Sequence, residues 1–327
     1  MVPQLRYGNK NLYVVALAGG VGGAKMAHGF AKALERSQIP AENLTVTVNI
    51  GDDFEHLGLT ICPDLDTVCY TLAGIENPKT GWGRANESWK AMEAVERLGG
   101  PTWFRLGDRD VGLHLERTHR LRLGESLSQV TRDFCHLLGI SSQVLPVSDD
   151  RVPTRVYTSL GELSFQEYFV YYHCAPKVTG FSFEGVENAM PAPGVIEALD
   201  TADLVVICPS NPWVSIDPIL AVPGILQAVK QKRVVAVSPI IGGQTVKGPA
   251  AKMFTELGIQ PSPLAVTRHY AGLLQGFILD QADHLLSSQI KELGMDTLVT
   301  NTLMNSPEDR VQLAMQVLDF AANLQNH

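Results

Sequence analysis

Short runs of continuously apolar residues alternate along the chain with longer segments of amphipathic helical pattern. Runs of the first kind are typical of strands buried in a parallel sheet, whereas the longer segments are typical of helices that cover it. The alternation predicts an α/β fold, a Rossmann-like three-layer α/β/α sandwich around a mostly parallel, doubly wound sheet. Strands of this sheet are predicted at residues 14–18, 44–49, 204–208, 234–237, 276–280 and 297–300.

The middle third of the chain has more strand-like than helical pattern. Residues 154–158 and 163–172 are rich in β-branched and aromatic residues, and Gly161 lies between them. They predict a β-rich hairpin or subdomain. We expect it as an insertion over residues 150–190 within a single α/β domain that comprises residues 1–327.

Two further elements are predicted outside these regions. Residues 103–106 have the pattern of a short strand. A final helix is predicted from about Pro307, because Ser306 and Asp309 match a capping box in which Asp replaces Glu.

Four glycines follow the first predicted strand, and a helical pattern is predicted after them, from Ala24 to about Glu35. A strand, a glycine-rich turn and a helix N-terminus together direct backbone N–H groups at an anion. The stretch matches neither the Walker loop nor the dinucleotide fingerprint, so it predicts a phosphate contact, helped by Lys25, without defining the ligand. A tight turn without a ligand is the alternative. The glycines are Gly19, Gly20, Gly22 and Gly23.

Two pairs of aspartates follow the second predicted strand. Asp52 and Asp53 come directly after the strand, and Asp64 and Asp66 precede the next apolar helical run. Ligands of doubly wound sheets collect at the carboxyl ends of strands, and carboxylate oxygens suit a hard divalent cation. Beside a phosphate-binding turn, the two pairs predict a metal site with room for substrate phosphates. The alternative is structural, with a turn at the first pair and a helix N-cap in the second.

Polar side chains also follow other predicted strands. Arg109 lies between Asp108 and Asp110, where it forms either a surface ion pair or a contact aimed at a substrate. Ser210 and Asn211 follow a buried strand and carry the small hydroxyl and amide groups that often contact nucleotides or sugars.

Composition restricts the class of protein. A chain of 327 residues with 45% hydrophobic and 18% charged residues is typical of a globular enzyme. The formal net charge of −8, without a dense Lys/Arg run, argues against a nucleic-acid partner. Five scattered cysteines without a Cys-x-x-Cys pair fit reduced thiols. No apolar run is long enough for a membrane span and no signal peptide is evident, so a cytoplasmic location is expected.

Taken together and in order, the motifs resemble the 2-phospho-L-lactate transferase family over roughly residues 12–300. A match of this length is far more specific than any single glycine turn. The segments that carry the resemblance are Gly19-Gly20-Val21-Gly22-Gly23-Ala24-Lys25, Asn49-Ile50-Gly51-Asp52-Asp53, Pro63-Asp64-Leu65-Asp66-Thr67, Leu106-Gly107-Asp108-Arg109-Asp110, Phe165-Gln166-Glu167, Pro209-Ser210-Asn211-Pro212 and Ser238-Pro239-Ile240-Ile241-Gly242.

The resemblance implies a transferase of coenzyme F-420 biosynthesis. Such an enzyme moves a phospho-acid, 2-phospholactyl or enolpyruvyl phosphate, from a guanosine diphosphate conjugate to the ribityl hydroxyl of 7,8-didemethyl-8-hydroxy-5-deazariboflavin (Fo), and it releases GMP. Mg²⁺ is the implied cofactor. Whether the acid is lactyl, enolpyruvyl or glyceryl stays open, because these differ by one oxidation level or one hydroxyl. A homodimer is the default expectation for such an enzyme.

The resemblance also implies roles for particular residues. Asp66 and Arg109 match positions that contact Fo, and Asp52 and Asp66 match positions that hold the metal. By extension, the glycine turn with Lys25, together with Ser210-Asn211, is expected to face the nucleotide.

The identity of a general base is left open. Asp64 or Asp53 is a candidate acceptor for the hydroxyl proton, unless the metal alone generates the alkoxide. Asp66→Ala is expected to abolish turnover and to leave the fold intact, because Asp66 is expected in a solvated site.

Two other classes of function fit part of the sequence. A non-enzymatic, nucleotide-sugar-binding regulatory protein of the related gluconeogenesis-factor family shares a similar glycine-turn core, but the Gly-Asp-Arg-Asp and Phe-Gln-Glu segments argue against it. A dinucleotide-dependent oxidoreductase is suggested only by the glycine turn, and the failed Gly-x-Gly-x-x-Gly spacing argues against that class.

Overall fold

A seven-stranded sheet forms the centre of the computed structural model, which describes residues 12–324. All neighbouring strands of this sheet are parallel, in the order β14-β13-β10-β9-β1-β2-β5. The strands of the described residues, in chain order, are β1 (Val14–Ala18), β2 (Leu44–Val48), β3 (Phe54–His56), β4 (Leu59–Ile61), β5 (Gln143–Pro146), β6 (Thr154–Thr158), β7 (Gly161–Ser164), β8 (Val178–Phe183), β9 (Leu204–Ile207), β10 (Val234–Val237), β11 (Ile240–Ile241), β12 (Gln244–Thr245), β13 (Gly276–Asp280) and β14 (Asp296–Thr300).

Helices flank the sheet, and the predicted three-layer α/β/α architecture is confirmed. No helix within residues 12–324 combines the length and apolar character that crossing a lipid bilayer requires. The α-helices are α1 (Gly20–Arg36), α2 (Pro63–Leu72), α3 (Lys90–Arg97), α4 (Asp108–Arg122), α5 (Leu127–Leu137), α6 (Val195–Thr201), α7 (Asp217–Ala221), α8 (Ile225–Lys230), α9 (Ala250–Glu256), α10 (Pro263–His269), α11 (Ser287–Glu292) and α12 (Pro307–Ala322).

The strand order reverses direction between β1 and β9. From β1 the chain moves outward to β2 and β5, and from β9 it moves outward the other way to β10, β13 and β14. β1 lies in the middle of the core, and none of its residues is more than 2% exposed. A doubly wound sheet opens a crevice at such a switch point, beyond the carboxyl ends of the strands. The segments after β1, β2 and β9 therefore meet there.

The helix after β1 begins at Gly20, not at Ala24 as predicted, so three of the four glycines lie in its first turn. The reason is tertiary contact. A β-carbon on Gly22 would lie 2.2 Å from the carbonyl oxygen of Pro209, and one on Gly23 would lie 2.9 Å from Ser210 Oγ. Glycine at these positions lets the first turn of α1 contact the segment after β9.

Gly22→Ala is expected to destabilise the protein by about 3 kcal/mol, because the methyl group must displace a backbone carbonyl. Gly112→Ala is the matched control. Gly112 lies inside α4 with no atom near its β-carbon position, so alanine there is expected to stabilise the helix by about 1 kcal/mol. Urea denaturation of both variants measures the difference. Equal stabilities of the two variants would contradict the packing described for α1.

The β-rich insertion between β5 and β9 forms a three-stranded antiparallel sheet in the order β7-β6-β8. The prediction of a strand over residues 163–172 is wrong beyond Ser164, because the chain turns into a short π-helix over Glu167–Tyr171. The aromatic side chains explain the difference. Phe165 and Phe169 stack with ring centroids 5.5 Å apart, which is a contact between residues four positions apart on a helix.

Residues 103–106 do not form the predicted strand. Their aromatic side chains instead cover the β3-β4 hairpin, where the Phe104 ring lies 4.8 Å from that of Phe54. The final helix is confirmed. Ser306 Oγ accepts from the Asp309 N–H, and the Asp309 carboxylate accepts from the Ser306 N–H, which completes the predicted capping box.

Candidate functional site at the sheet switch point

The Asp64 carboxylate makes hydrogen bonds to the segments that follow the two strands β1 and β2. Pro63 starts α2, a favourable first position for proline, and places Asp64 in the first helical turn rather than at the N-cap. Its Oδ1 accepts from the Gly20 N–H at 2.7 Å, and its Oδ2 accepts from Asn49 Nδ2 at 2.9 Å. The carboxylate therefore touches the start of α1 beyond β1 and the segment beyond β2.

Asn49 organises the acidic groups, and sequence reasoning missed it. Its Nδ2 faces Asp64 Oδ2, Asp52 Oδ1 at 3.2 Å and the Val214 carbonyl oxygen at 3.1 Å. Its Oδ1 accepts from the Gly51 N–H at 2.8 Å. The available signal was an asparagine at the end of a predicted strand, shortly before Gly51-Asp52-Asp53, and the structure shows it to be fully buried. One side-chain amide thus orients two carboxylates.

Asp52 and Asp64 are buried together. Burial raises the pKa of Asp64 to about 6, opposed by its hydrogen bonds from Asn49 and Gly20. Burial also raises the pKa of Asp52 well above its ordinary value, and the charge of Asp64 raises it further. No Lys or Arg within residues 12–324 forms an ion pair with either of them. Two buried carboxylates without a counter-charge are unfavourable unless a proton or a cation binds.

Asp66 faces away from this pair toward α4. Both of its carboxylate oxygens accept from Arg117, one at 3.1 Å, and His114 Nδ1 lies 3.7 Å from Asp66 Oδ2. Asp66 is 7% exposed and Arg117 is 3% exposed. The prediction that Asp66 lies in a solvated site is wrong. Sequence reasoning also missed Arg117, since nothing in the local pattern of an amphipathic helix distinguishes a buried arginine from a surface one.

His114 is expected to make the protein less stable in acid. Burial lowers its pKa from 6.5 to about 4, so the folded protein favours the neutral ring. The stability that this group contributes is complete above pH 6.5 and is lost as the pH falls toward 4, by about 3 kcal/mol at most. His114→Gln is expected to lose less stability than the wild type between pH 7 and pH 4.5 in urea denaturation. Identical pH profiles of the two proteins would show that folding does not change the pKa of His114.

The hydroxyl of Ser210 holds the glycine turn. Ser210 Oγ accepts from the Gly19 N–H at 3.3 Å and donates to the Gly19 carbonyl at 2.8 Å. Asn211 caps the π-helix Pro212–Ile216, since its Oδ1 accepts from the Trp213 N–H at 3.1 Å. Both predicted nucleotide contacts thus lie at the switch point, but their side chains already have protein partners.

Lys25 and Arg109 lie on different helices. Lys25 Nζ donates to the Met304 carbonyl at 2.7 Å, and burial lowers the pKa of this lysine. Arg109 is exposed in the first turn of α4, where its backbone N–H donates to Glu87 Oε2 at 2.9 Å and its Nη1 reaches the Ala85 carbonyl at 3.4 Å. Within residues 12–324 the guanidinium therefore makes a single, long hydrogen bond, and the residue is exposed to solvent.

The acidic groups divide into two sets. Asp52 and Asp64 share the amide of Asn49, whereas Asp66 is bound by Arg117. Within residues 12–324 no three His, Cys, Asp or Glu side chains are grouped so as to hold a metal ion. A Mg²⁺ site in proteins is often made of one or two carboxylates completed by water and substrate phosphates, so a pair is a sufficient donor set.

The fold and these side chains define an α/β protein whose ligand site lies at the switch point of its sheet. The Gly20 N–H donates to Asp64, but the amides that follow it in the first turn of α1 suit an anion, and the buried carboxylates suit a cation. The profile of the family described as 2-phospho-L-lactate transferase CofD matches residues 14–314, and the chain belongs to that family. The predicted family is thereby confirmed, and the protein is a transferase.

Individual relatives match over nearly their whole length. A phosphoenolpyruvate transferase of Kitasatospora aureofaciens is 41% identical over 321 residues, which are 96% of this chain and 99% of the relative. A 2-phospho-L-lactate transferase of Methanosarcina acetivorans is 38% identical over 301 residues, 92% of this chain and 96% of the relative.

A solved structure agrees with the fold. The crystal structure of protein BH3568 from Bacillus halodurans superposes with a TM-score of 0.61, over 94% of this chain and 99% of that one. At 17% sequence identity this likeness shows the fold alone.

Proposed function

We propose that the protein transfers a phospho-acid from a guanosine diphosphate conjugate to the ribityl hydroxyl of Fo, with release of GMP, in coenzyme F-420 biosynthesis. Family membership supports the reaction class, and the names of the relatives support 2-phospholactate or phosphoenolpyruvate as the acid. The observation that carries the proposal is the buried pair Asp52 and Asp64 at the start of α1, where the Gly20 N–H donates to Asp64 and the next amides of the first helical turn lack intrahelical acceptors. Amide donors suit phosphate oxygens, and paired carboxylates suit a cation bound to the same oxygens.

Mg²⁺ is the proposed cofactor, and Asp52 and Asp64 are the residues that hold it. When bound, the ion neutralises diphosphate charge and lowers the pKa of the attacking hydroxyl. The two side chains fit because they are hard oxygen donors that lie side by side and lack a cationic partner among the described residues. Asp64 replaces Asp66 in the metal pair expected from the sequence, since the Arg117 guanidinium already neutralises Asp66, whereas Asp64 accepts from the neutral donors Gly20 N–H and Asn49 Nδ2.

The protein's own groups position the reactants. Attack of an alcohol on a diphosphate needs alignment and charge neutralisation more than covalent help. Asn49 keeps the two carboxylates facing each other, and the start of α1 offers N–H groups to the diphosphate. Arg109 is the proposed contact for Fo, because its guanidinium is exposed. Asp66 is a positioning residue, which ties α2 to the helix that carries Arg109.

Asp53 is the proposed acceptor of the hydroxyl proton. Burial raises the pKa of Asp53 well above its ordinary value. Its Oδ1 is buried and has no hydrogen-bond partner among residues 12–324. A carboxylate with a raised pKa is a better general base near neutral pH than an ordinary one.

Mass spectrometry of the products tests the proposal. The purified protein is incubated with Fo, Mg²⁺ and, in separate reactions, the guanosine diphosphate conjugates of phospholactate, phosphoenolpyruvate and phosphoglycerate. One conjugate is expected to give GMP and the phospho-acid ester of Fo, and EDTA is expected to stop the reaction. Binding of a uridine nucleotide-sugar without formation of either product would favour a regulatory protein instead.

A further inference from the structure

Three basic side chains from three separate segments lie close together beside α1. Lys25 belongs to α1 itself, Arg310 belongs to α12, and Lys247 lies between β12 and α9. After burial, the positive charges of Arg310 and Lys247 are the largest influences that lower the pKa of Lys25. Cations that influence one another in this way repel, so the cluster is unfavourable without a counter-charge.

Lys247 lies against the first turn of α1. Its Nζ donates to the carbonyl oxygen of Thr80. A β-carbon on the neighbouring Gly81 would lie 3.1 Å from Lys247 Nζ and 2.8 Å from Val21 Cγ1. Val21 is the second residue of α1, so the lysine reaches the helix end that faces the switch point.

The acidic side chains in this region do not neutralise the cluster. Lys25 Nζ donates to a carbonyl rather than to a carboxylate, and Arg310 Nη1 donates to Glu76 Oε1 at 3.2 Å. The charges of Glu76 and Asp309 both raise the pKa of Lys25, and the Asp309 carboxylate also accepts from a backbone N–H in the capping box of α12. Among the described residues, two carboxylates therefore act on a cluster of three cations.

Arg310 also carries an unused donor. The residue is 8% exposed, and its Nε–H is buried without a hydrogen-bond partner within residues 12–324. The nearby His28 has a buried Nδ1 that also lacks a hydrogen-bond partner among the described residues. Buried polar groups are almost always hydrogen-bonded to protein, water or ligand. The unpaired groups are independent of the charge imbalance, and both observations indicate an acceptor at this place.

We propose that Lys25, Lys247 and Arg310 bind phosphate groups of the guanosine diphosphate conjugate, beyond the amide of Gly20 along α1. The identity of the ligand rests on the proposed transferase function, whereas the anionic character of the ligand rests on the cluster itself. Phosphate oxygens accept the charge-assisted hydrogen bonds that Lys and Arg donate. At this place the cluster stabilises negative charge that develops on the GMP leaving group.

Calorimetric binding of GDP, in Mg²⁺ and again in EDTA, tests the site without turnover. Lys247→Gln and Lys25→Gln are each expected to raise the Kd for GDP about tenfold or more, because each removes a hydrogen bond to a charged group. Lys232→Gln is the matched control. Its Nζ also donates to a backbone carbonyl, that of Asp200, and its removal is expected to leave the Kd unchanged.

The outcomes separate this proposal from the proposed reaction. Unchanged GDP affinity in either cluster variant, or no GDP binding by the wild type in both buffers, overturns the phosphate site. Weaker GDP binding by both variants supports it, even if the protein forms no GMP from any conjugate. In that case the transferase proposal fails and the anion site stands.

Discussion

Asp64→Asn is expected to lower turnover at least about 100-fold while the protein stays folded. The substitution keeps the shape of the side chain and removes one of the two carboxylates proposed to hold Mg²⁺. In EDTA two effects on stability oppose each other: the amide accepts at one atom and so loses one of the two hydrogen bonds of Asp64, but it also removes a charge that burial beside Asp52 makes unfavourable near pH 7.5. Mg²⁺ is expected to raise the Tm of the wild type but not that of the variant.

GMP release and thermal scans with and without Mg²⁺ measure both effects. Asp133→Asn is a suitable control, since Asp133 is a half-exposed carboxylate paired with Arg120 on α4, and full turnover is expected. Wild-type GMP release by Asp64→Asn, or a Tm that Mg²⁺ still raises, would contradict the assignment of Asp64. The Tm is the more specific readout because it responds to the metal without the organic substrates.

The central sheet could be predicted from the sequence because its strands are buried on both faces. Such strands are continuous apolar runs, and the predicted strands at 14–18, 234–237 and 276–280 have the observed bounds. The start of α1 could not be predicted in the same way. Local propensity counts glycine as a helix breaker, whereas the requirement for Gly22 comes from Pro209, which is distant in sequence.

The elements that were predicted wrongly are aromatic segments. Aromatic residues favour strands, so residues 163–172 matched a strand by composition. Burial of the aromatic side chains follows a helical spacing instead, since Phe165 and Tyr168, three positions apart, are the buried aromatic residues of the run. Residues 103–106 were also predicted as a strand because they include aromatic residues. Their rings instead pack in an aromatic cluster on the β3-β4 hairpin and do not join a sheet. Tertiary packing decides such short segments, and composition does not.

The positions of the acidic residues were predictable, but their partners were not. Four aspartates between the second predicted strand and the start of the following helix indicate a polar site at the carboxyl ends of the strands. Asp64 and Asp66 lie two positions apart on α2, however, and successive helical residues rotate by about 100°. They therefore point in nearly opposite directions, one toward Asn49 and the other toward Arg117 on α4. Since the partner of Asp66 is 51 residues away in sequence, local spacing could not identify it.

Arg117→Met is expected to destabilise the protein by about 3–5 kcal/mol, because it leaves the carboxylate of Asp66 buried without its partner. Both side chains are almost fully buried, so water cannot replace the lost hydrogen bonds. Asp66→Asn is expected to destabilise the protein by a similar amount, since it leaves the Arg117 guanidinium buried without a charged partner. Urea denaturation at pH 7.5 measures both free energies of unfolding.

The double variant Asp66→Asn/Arg117→Met measures the interaction energy between the two side chains, apart from the contacts that each makes with other residues. Removal of both charges is expected to cost less than the sum of the single substitutions, because neither charge is then left unpaired. Arg36→Met is the matched control. Its ion pair with Glu308 is exposed, and its loss is expected to change stability by less than about 1 kcal/mol. Wild-type stability of Arg117→Met, or strictly additive effects in the double variant, would mean that the pair contributes nothing to holding α2 against α4. In that event Asp66 could not position Arg109 through the packing of α4, and a loss of turnover in an Asp66 variant would have to come from a direct contact with Fo.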